Sequence, residues 1–414
     1  MDFRNIAKDF RKQLGNCTKY TVDSIKHVCK TYGPRPCGDE SEKRAQEYMM
    51  ESLKEYADSV SRETYDVHPD AFMSFVPIAG TCVLGATVCN LLGAFKNKKI
   101  SAASFGLIGA GISGIVGEFV LYKEILDPFF KKKESGNVIA VRKAKGETKR
   151  RIILAGHTDS APEWTYTYKL GSNGVTTVAG YAVAGLLYTM ITSGIILGTK
   201  NRTLAKALSL GQLAFVPAYA LLYKFTDSKN YVEGANDNLT GCYISAAVLK
   251  FLEDNDIRFE NTEVIAALVG GEEAGLRGSK AYFKAHPELG NDGVETMFFS
   301  IDTIRDEDYM MIYDKDMTGM VENDPKASLL VQKAAKKCGC DVPMGPIPLG
   351  ATDAAAASQA GVPAASFVAM DSTPARYYHT RLDSGDNLVP ETIEKTIEIT
   401  LQTVFDFDEN GLDG

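Results

Sequence analysis

Seven acidic and histidine residues of this 414-residue chain follow, in a fixed order, the ends of apolar stretches. Charged side chains beside apolar strands cost free energy unless another group pairs with them or coordinates them. Two imidazoles and several carboxylates together form a ligand set for two divalent cations, above all zinc. The sequence therefore predicts a two-cation site formed by His157, Asp159, Asp237, Glu272, Glu273, Asp302 and His379.

Each histidine of this set has an acidic residue close by in the sequence. Asp159 follows His157 by two residues, and Asp383 follows His379 by four. An imidazole can bind a cation through one nitrogen while a carboxylate orients the ring through the other. We expect this arrangement at His157, and Asp383 is a candidate for the same role at His379. The simpler interpretation is a histidine at the end of a strand, capped by a neighbouring acid.

The remaining acids suggest two further roles. Asp237 lies in Gly-Ala-Asn-Asp-Asn at a junction between a loop and a helix, where an acid caps a helix or bridges two cations. Glu272 and Glu273 follow Val-Gly-Gly, and neighbouring side chains on such a turn point in different directions. One of them can therefore bind a cation while the other accepts a proton from water.

Strands and helices alternate along the chain, which indicates an α/β fold with a central, largely parallel sheet covered on both faces. Sites in such sheets form at the carboxyl ends of the strands, where His157, Glu272 and Asp302 fall. Apolar runs predict strands at 138–142, 151–155, 264–269, 297–301, 309–313 and 365–368. Helical patterns occupy 239–253, 276–285, 325–337 and 391–406, and the N-terminal part, 4–60, also reads as helical.

Four long stretches carry no charged residue: 71–95, 100–117, 170–199 and 207–223. Each approaches the length of about 20 residues that crosses a bilayer as a helix. They come as two pairs with short polar links, so we predict two hairpins inserted into a lipid bilayer. The alternatives are buried helices of a large soluble domain or a hydrophobic dimer interface.

The bulk composition bears on partners and compartment. The net charge is −8, and no basic block extends beyond Lys131–Lys133, which argues against nucleic acid as a partner. The eight cysteines show no Cys-x-x-Cys spacing, and the first residues contain no apolar stretch of signal-peptide type. We therefore expect free thiols in a reducing compartment.

Five motifs, in this order, resemble those of the co-catalytic zinc aminopeptidase family, which includes bacterial leucyl aminopeptidases, glutamate carboxypeptidase II, the transferrin receptor and glutaminyl cyclases. The resemblance covers about 130–405 without the second hairpin, together with about 20–60. The motifs are His157-Thr-Asp159, Gly234-Ala-Asn-Asp-Asn-Leu-Thr-Gly241, Glu272-Glu-Ala-Gly-Leu-Arg-Gly-Ser279, Ile301-Asp302 and Tyr378-His379-Thr-Arg-Leu-Asp383.

The resemblance implies a zinc-exopeptidase-like fold, two zinc ions and peptide substrates. We expect an aminopeptidase that hydrolyses N-terminal peptide bonds with a water activated by both cations. The implied roles are His157 and Asp302 as ligands of one zinc, Glu273 and His379 as ligands of the other, Asp237 as the bridge, Glu272 as general base and Asp159 as support for His157. A cis peptide after Asp237 is also implied.

Two features depart from the family. Thr352-Asp353-Ala354 stands where many members have Ser-Asp-His, which bears on substrate choice. The hydrophobic hairpins are absent from the familiar soluble members.

The alternatives to an aminopeptidase are a glutaminyl-cyclase-like acyltransferase with one zinc and a non-catalytic membrane receptor or scaffold. Retention of every ligand for two metals and of Glu272 argues against both.

Without the hairpins, about 300 residues remain, a suitable size for one large domain. We expect a catalytic domain formed by 1–70, 126–169 and 227–414, interrupted by hairpins at 71–125 and 170–226. Because both hairpins return the chain to its starting side, and because no export signal was found, we expect this domain in the cytoplasm. Lysines lie in the turns as well as on the domain side, so the positive-inside rule does not decide the side.

Overall fold

The computed structural model describes residues 4, 9–373 and 375–413, apart from the side chains of Ser172 and Ser228. The helices are α1 (Phe10–Tyr32), α2 (Glu40–Leu53), α3 (Phe75–Phe95), α4 (Ala102–Gly114), α5 (Thr165–Leu170), α6 (Ser172–Gly198), α7 (Arg202–Gly211), α8 (Val216–Leu222), α9 (Thr240–Asp254), α10 (Arg277–Ala285), α11 (Pro325–Lys337), α12 (Asp353–Gln359) and α13 (Pro390–Asn410). The strands are β1 (Ser59–Val67), β2 (Lys133–Arg142), β3 (Arg150–His157), β4 (Pro162–Trp164), β5 (Thr226–Tyr231), β6 (Thr262–Val269), β7 (Glu295–Ile304), β8 (Met310–Asp316), β9 (Val321–Glu322), β10 (Met344–Pro346) and β11 (Ala364–Ala369).

The chain divides into two compact units. The first unit consists of Met1–Pro69, Lys132–Pro162 and Tyr231–Gly414, and the second of Asp70–Lys131 and Glu163–Asn230. The second unit thus contains all four uncharged stretches of the sequence. The first unit contains the motif residues.

A mixed sheet runs through the first unit in the order β1-β2-β6-β3-β7-β11-β8-β10, with β9 beside β8. The four central strands, β6, β3, β7 and β11, are parallel to one another. The antiparallel pairs β1–β2 and β2–β6 form one side of the sheet, and β11–β8 and β8–β9 lie on the other. The predicted α/β fold class is therefore confirmed.

Helices cover both faces of this sheet because its central strands are apolar on both sides. Ile152 and Leu154 of β3 belong to a large core with residues of α1, α2, α9, α11 and α13. Ile153 and Ala155, on the opposite face of the same strand, pack in a second core with residues of α10 and α12. A strand that is buried on both faces cannot slip without exposing apolar side chains, so the register of β3 is firmly set.

Two glycines let α9 approach the sheet closely near the motif residues. A Cβ atom on Gly156 would lie 2.4 Å from backbone atoms of Gly241 and Cys242. A Cβ atom on Gly241 would lie 2.1 Å from the carbonyl oxygen of Ile301. Only glycine fits at either position, so these residues bring the start of α9 against the ends of β3 and β7.

The N-terminal part differs in one respect from its expectation as a wholly helical segment. Residues 10–53 form α1 and α2, but Ser59–Val67 form β1, an edge strand antiparallel to β2. Burial along β1 is partial, with Val67 its one fully buried residue. Its sequence therefore lacks the apolar run that marked the central strands.

In the second unit, four segments of the described chain are long and apolar enough to cross a membrane. They are Phe72–Phe95, Lys98–Val120, Asn173–Gly198 and Arg202–Leu222. Their polar side chains meet inside the unit. Asn90 of α3 donates hydrogen bonds to Ser193 Oγ of α6 (2.9 Å) and to Gln212 Oε1 (3.1 Å), and Ser104 of α4 donates to Asn90 Oδ1 (2.9 Å).

Candidate metal centre

Three adjacent strands carry the first part of the site to one edge of the sheet. His157 is the last residue of β3, and Asp302 lies two residues before the end of β7. Glu272 and Glu273 follow β6 after Gly270 and Gly271. Because β6, β3 and β7 are parallel neighbours, their carboxyl ends bring these side chains together.

Asp237 stands at the centre of the arrangement. His157 Nε2 lies 3.1 Å from Asp237 Oδ1, and His379 Nε2 lies 3.0 Å from Asp237 Oδ2. His379 Nε2 is also 3.1 Å from Glu273 Oε1. The two histidines, 222 positions apart in the sequence, thus contact opposite oxygens of one carboxylate.

The potential ligand atoms form two groups that share Asp237. One group is His157, Asp237 and Asp302, and the other is Asp237, Glu273 and His379; within each, the donor atoms lie within 4.8 Å of one another. A third group joins His157 and Glu273 to Glu272, which is in neither of the first two. The structure therefore brings together all seven residues predicted for the site, although their roles as ligands stay predictions.

The peptide bond between Asp237 and Asn238 is cis, as the resemblance implied. Asn238 is buried, and its side chain forms hydrogen bonds with two neighbouring elements. Its Nδ2 donates to the carbonyl of Ile301 at 3.0 Å, and its Oδ1 accepts from the N–H of Gly241 at 2.9 Å. The segment that carries Asp237 is thereby tied to β7 and to α9.

Asp159 supports more than His157. Its Oδ1 lies 3.4 Å from His157 Nδ1, the ring nitrogen that points away from Asp237. In addition, its two oxygens accept hydrogen bonds from the backbone N–H groups of Glu272 (3.0 Å) and Glu273 (3.1 Å). One buried carboxylate therefore links β3 to the turn that carries both glutamates.

Asp383, considered from its spacing as a partner of His379, supports the segment of Asp237. One oxygen accepts from the backbone N–H (2.7 Å) and side-chain Nδ2 (2.8 Å) of Asn236. The other accepts from the backbone N–H of Asp237 at 3.1 Å. Tyr378 stacks on the ring of His379, with centroids 3.9 Å apart.

Arg35 is a residue of this region that sequence reasoning did not single out. It is fully buried, and its guanidinium donates to the carbonyls of Thr158 (2.8 Å), Glu233 (2.7 Å) and Gly234 (3.1 Å). It thus joins the loop after His157 to the loop before Asp237. The signal in the sequence is Gly33-Pro34-Arg35-Pro36, where a charged residue stands between two prolines.

The electrostatics of the site are those of a buried cluster of acids. Burial disfavours the charged form of His157, but hydrogen bonds with Asp159 and Asp237 outweigh it and raise its pKa well above the usual value. Burial raises the pKa of Asp302 to about 7, and that of Glu272 well above its usual value. The same burial opposes ionisation of Asp237, yet hydrogen bonds from His157 and His379 hold its pKa below the usual value.

This donor set fits divalent cations. Each group combines an imidazole, which binds a cation in its neutral form, with carboxylate oxygens. These are ligand types that zinc takes in proteins. Asp237 and Asp302 are buried and the side chain of Glu273 is only 10% exposed, and burial makes the ionised form of an acid costly unless positive charge lies nearby. Cations held by the two groups would supply that charge at both oxygens of Asp237.

One family model matches part of the chain. Residues 221–404 match the model of peptidase family M28. No curated protein matches the sequence.

Solved structures of similar fold include both peptidases and cyclases. The aminopeptidase from Aneurinibacillus sp. strain AM-1 is 16% identical, with a TM-score of 0.56 and 95% of each chain covered. A zinc aminopeptidase from Bacillus subtilis is 14% identical, with a TM-score of 0.55 and 94% of each chain covered. The glutaminyl cyclase of Bacteroides thetaiotaomicron is 14% identical, with a TM-score of 0.55, over 94% of this chain and 97% of the other.

At these identities, the likeness to the solved structures shows a shared fold. Residues 221–404 are thus similar to the M28 peptidases, and the chain has the fold of zinc aminopeptidases and glutaminyl cyclases.

Proposed function

We propose that this protein is an aminopeptidase that holds two divalent cations, most suitably zinc, and hydrolyses N-terminal peptide bonds. The observation that carries the proposal is the position of Asp237, whose two oxygens face His157 and His379 separately. A carboxylate shared in this way is suited to bridge two cations about 3.5–4 Å apart. Such a pair of cations, when bound, polarises the scissile carbonyl and lowers the pKa of water.

Glu272 is the proposed general base. Its Oε2 lies 3.7 Å from His157 Nε2, at the edge of the ligand groups, and its backbone is fixed by Asp159. Burial raises its pKa, and a carboxylate of raised pKa takes up a proton more readily than an exposed one. Glu272 would accept a proton from the attacking water and deliver it to the leaving amine.

Metal content and peptide cleavage, measured on the same preparation, test this proposal. We expect about two divalent ions per chain and cleavage of peptides with a free N-terminus. Peptides with the same sequence and an acetylated N-terminus should stay intact. Cleavage of both sets inside the chain would contradict the exopeptidase proposal, and a metal-loaded protein without turnover would favour a receptor or scaffold.

Glutaminyl cyclase activity is the second candidate, because glutaminyl cyclases are among the proteins of similar fold. The two candidates differ in product. A cyclase acting on a peptide with N-terminal glutamine releases ammonia and leaves the chain length unchanged, whereas an aminopeptidase releases the first residue. Mass spectrometry of one such peptide separates them. Stoichiometric binding of a single zinc would also favour the cyclase.

We further propose that the second unit lies in a lipid bilayer. Its outer surface is apolar: Val88, Val183 and Ile191 are each more than half exposed, at 54%, 57% and 59%. Its interior contains the hydrogen-bonded side chains of Asn90, Ser193 and Gln212, all fully buried. Such an arrangement would be costly in water but matches helix bundles in lipid, where polar side chains bond between helices. Fractionation tests it, since full-length monomer in the supernatant without detergent would contradict insertion.

The catalytic domain is proposed to face the cytoplasm. If each hairpin crosses the membrane twice, the chain returns to the side from which it started. The segments before, between and after the hairpins are then all on the side of the catalytic domain. Fusion of a fluorescent protein that folds only in the cytoplasm, or of a phosphatase active only after export, to the C-terminus tests the side. Phosphatase activity of the fusion would place the domain outside.

A further inference from the structure

The two hairpin turns of the second unit meet at one end of it. Lys98 of the first turn donates through Nζ to the carbonyl of Leu197 at 3.2 Å. Lys206, after the second turn, lies over the ring of Phe95 at 5.0 Å from its centroid. Ala94, Ile196 and Ala205 pack together beneath these contacts. We call the surface formed by 96–101 and 198–206 the turn end.

Side chains within both turns fix their backbone. Asn97 Oδ1 accepts from the N–H of Lys99 at 3.1 Å. Asn201 Oδ1 accepts from the N–H of Leu204 at 3.0 Å, and Thr199 Oγ1 from the N–H of Asn201 at 3.0 Å. The positions of the charged residues along both turns are therefore set by the fold and do not depend on a partner.

The turn end carries only positive charge. Neither turn contains an aspartate or glutamate. Five of its six cationic side chains are exposed, and the sixth, Lys206, is half-buried over Phe95. In the part of the chain that the structure describes, none of the six forms an ion pair with a carboxylate. They are Lys96, Lys98, Lys99, Lys200, Arg202 and Lys206.

The opposite end of the second unit is different. Its five lysines, at 123, 131, 169, 224 and 229, are accompanied by six acids, at 70, 118, 124, 127, 163 and 227, so that positive charge is balanced there. Aromatic rings pack there: Trp164 lies 5.0 Å from Phe225, and Phe72 lies 5.0 Å from Tyr122, measured between centroids. Concentrated positive charge is thus a property of the turn end alone within this unit.

Apolar side chains border the turn end. Phe95 (46% exposed), Leu204 (42%) and Leu92 (37%) lie next to the lysines in the sequence and face outward. A surface of this kind presents cations to a headgroup and apolar atoms to acyl chains at the same place. Zwitterionic lipids match only the apolar part, whereas anionic phospholipids match both.

We propose that the turn end is a binding site for anionic phospholipid, whose phosphate-bearing headgroup contacts the six cationic side chains while its acyl chains lie against Phe95 and Leu204. The proposal rests on the insertion of the second unit into a bilayer. It adds a specific lipid class and a place on the molecule. Its consequence is a preference for anionic lipid around this end of the bundle and not around the other.

A tryptophan reporter measures the lipid composition at the turn end. The chain has one native tryptophan, Trp164, at the opposite end, so Trp164→Phe combined with Phe95→Trp moves the reporter to the turn end. The full-length protein carrying both changes is reconstituted in vesicles of equal parts phosphatidylcholine and phosphatidylglycerol. Bromine, which quenches tryptophan fluorescence, is placed on the acyl chains of one lipid or the other.

We expect brominated phosphatidylglycerol to quench about threefold more efficiently than brominated phosphatidylcholine, since each nearby cation attracts anionic lipid. The triple variant Lys96→Gln, Lys99→Gln, Lys200→Gln should lose this difference. The matched triple Lys169→Gln, Lys224→Gln, Lys229→Gln, which removes the same charge at the other end, should keep it. Added inorganic phosphate should leave the preference unchanged, because the site takes the lipid and not the free anion.

Equal quenching by both lipids in the unsubstituted turn end would overturn the proposal and leave membrane insertion standing. Loss of the preference in both triple variants would overturn it as well, since charge anywhere on the unit would then suffice. Competition by inorganic phosphate would assign the site to free phosphate. Quenching by neither lipid, with the protein in the aqueous fraction, would overturn both the lipid site and the insertion.

Discussion

Asp159 and Glu272 are joined by a hydrogen bond of 3.0 Å, in which the backbone N–H of Glu272 donates to Asp159 Oδ1. The other oxygen of Asp159 accepts from the next N–H along the turn, that of Glu273, at 3.1 Å. The position of the proposed base therefore depends on a carboxylate two residues beyond the end of the neighbouring strand β3. A change at Asp159 should act on catalysis through Glu272 as well as through His157.

We predict that Asp159→Asn lowers kcat by about 10- to 100-fold, the usual effect of changing a group that orients a ligand. The amide keeps one acceptor oxygen, but its NH2 group would face a backbone N–H, so one of the two hydrogen bonds to the turn is lost. Steady-state kinetics and metal content check this result. An unchanged kcat at full metal content would show that the turn holds its position without Asp159.

Glu272→Gln is expected to remove the proton acceptor and retain both cations. The loss of general-base catalysis typically lowers the rate by about 10²–10⁴-fold. Metal analysis and turnover of the same sample provide the measurement, and Glu260→Gln, at an exposed position, serves as the control. Turnover near that of the control would mean that another residue activates water.

Asp237 and Asp302 should differ in their effect on metal content. Asp237 belongs to the ligand group of His157 and to that of His379, whereas Asp302 belongs only to the group of His157. Asp237→Asn should therefore weaken both sites, and Asp302→Asn should leave about one tightly held ion per chain. Dialysis against a weak chelator followed by elemental analysis distinguishes them. Equal losses in the two variants would argue against a bridging role for Asp237.

Arg35→Gln should destabilise the protein and weaken metal binding together. The guanidinium satisfies buried carbonyls of Thr158, Glu233 and Gly234, and each acceptor left unpaired costs about 1–3 kcal/mol. Arg11→Gln is the control, because Arg11 is 71% exposed and its ion pair should contribute less than about 1 kcal/mol. Thermal unfolding and chelator-driven metal loss are measured for both. If added guanidinium restores metal affinity in an Arg35→Ala variant, the role of the Arg35 guanidinium in joining the two loops is supported. Equal behaviour of Arg35→Gln and Arg11→Gln would refute that role.

Glu42 predicts a pH dependence of stability. Burial, followed by the charge of Asp159, raises its pKa from 4.5 to about 8 against the hydrogen bonds from Gly38 and Ser135. The folded protein thus binds a proton that the unfolded chain releases, so stability from this group falls as the pH rises from about 5 to 8. The slope reaches at most about 1.4 kcal/mol per pH unit.

Glu42→Gln should remove this part of the pH dependence. The amide oxygen can still accept from Gly38 N–H and Ser135 Oγ, which lie 2.7 and 2.8 Å from Glu42 Oε2. Relative to the unsubstituted protein, the variant should gain thermal stability at pH 8 and little at pH 5. A difference in Tm that is the same at both pH values would contradict the assignment.

The sequence alone determined much of the first unit. Apolar runs marked the central strands because these are buried on both faces, and β1 escaped notice because its residues are only partly buried. The ordered motifs also named the seven residues that the structure brings together, and their roles stay predictions. The charge-free stretches likewise marked the four long apolar helices.

Only the tertiary structure decided which groups support the site. Arg35 contacts the carbonyl of Glu233 across 198 positions, and Asp383 binds the N–H of Asn236 across 147. Contacts at such separations follow from the order of strands in the sheet and leave no periodic trace in the sequence. The spacing of four residues between His379 and Asp383 suggested that these two side chains contact each other. The structure adds a contact that spacing does not indicate, the hydrogen bond from the N–H of Asp237 to Asp383.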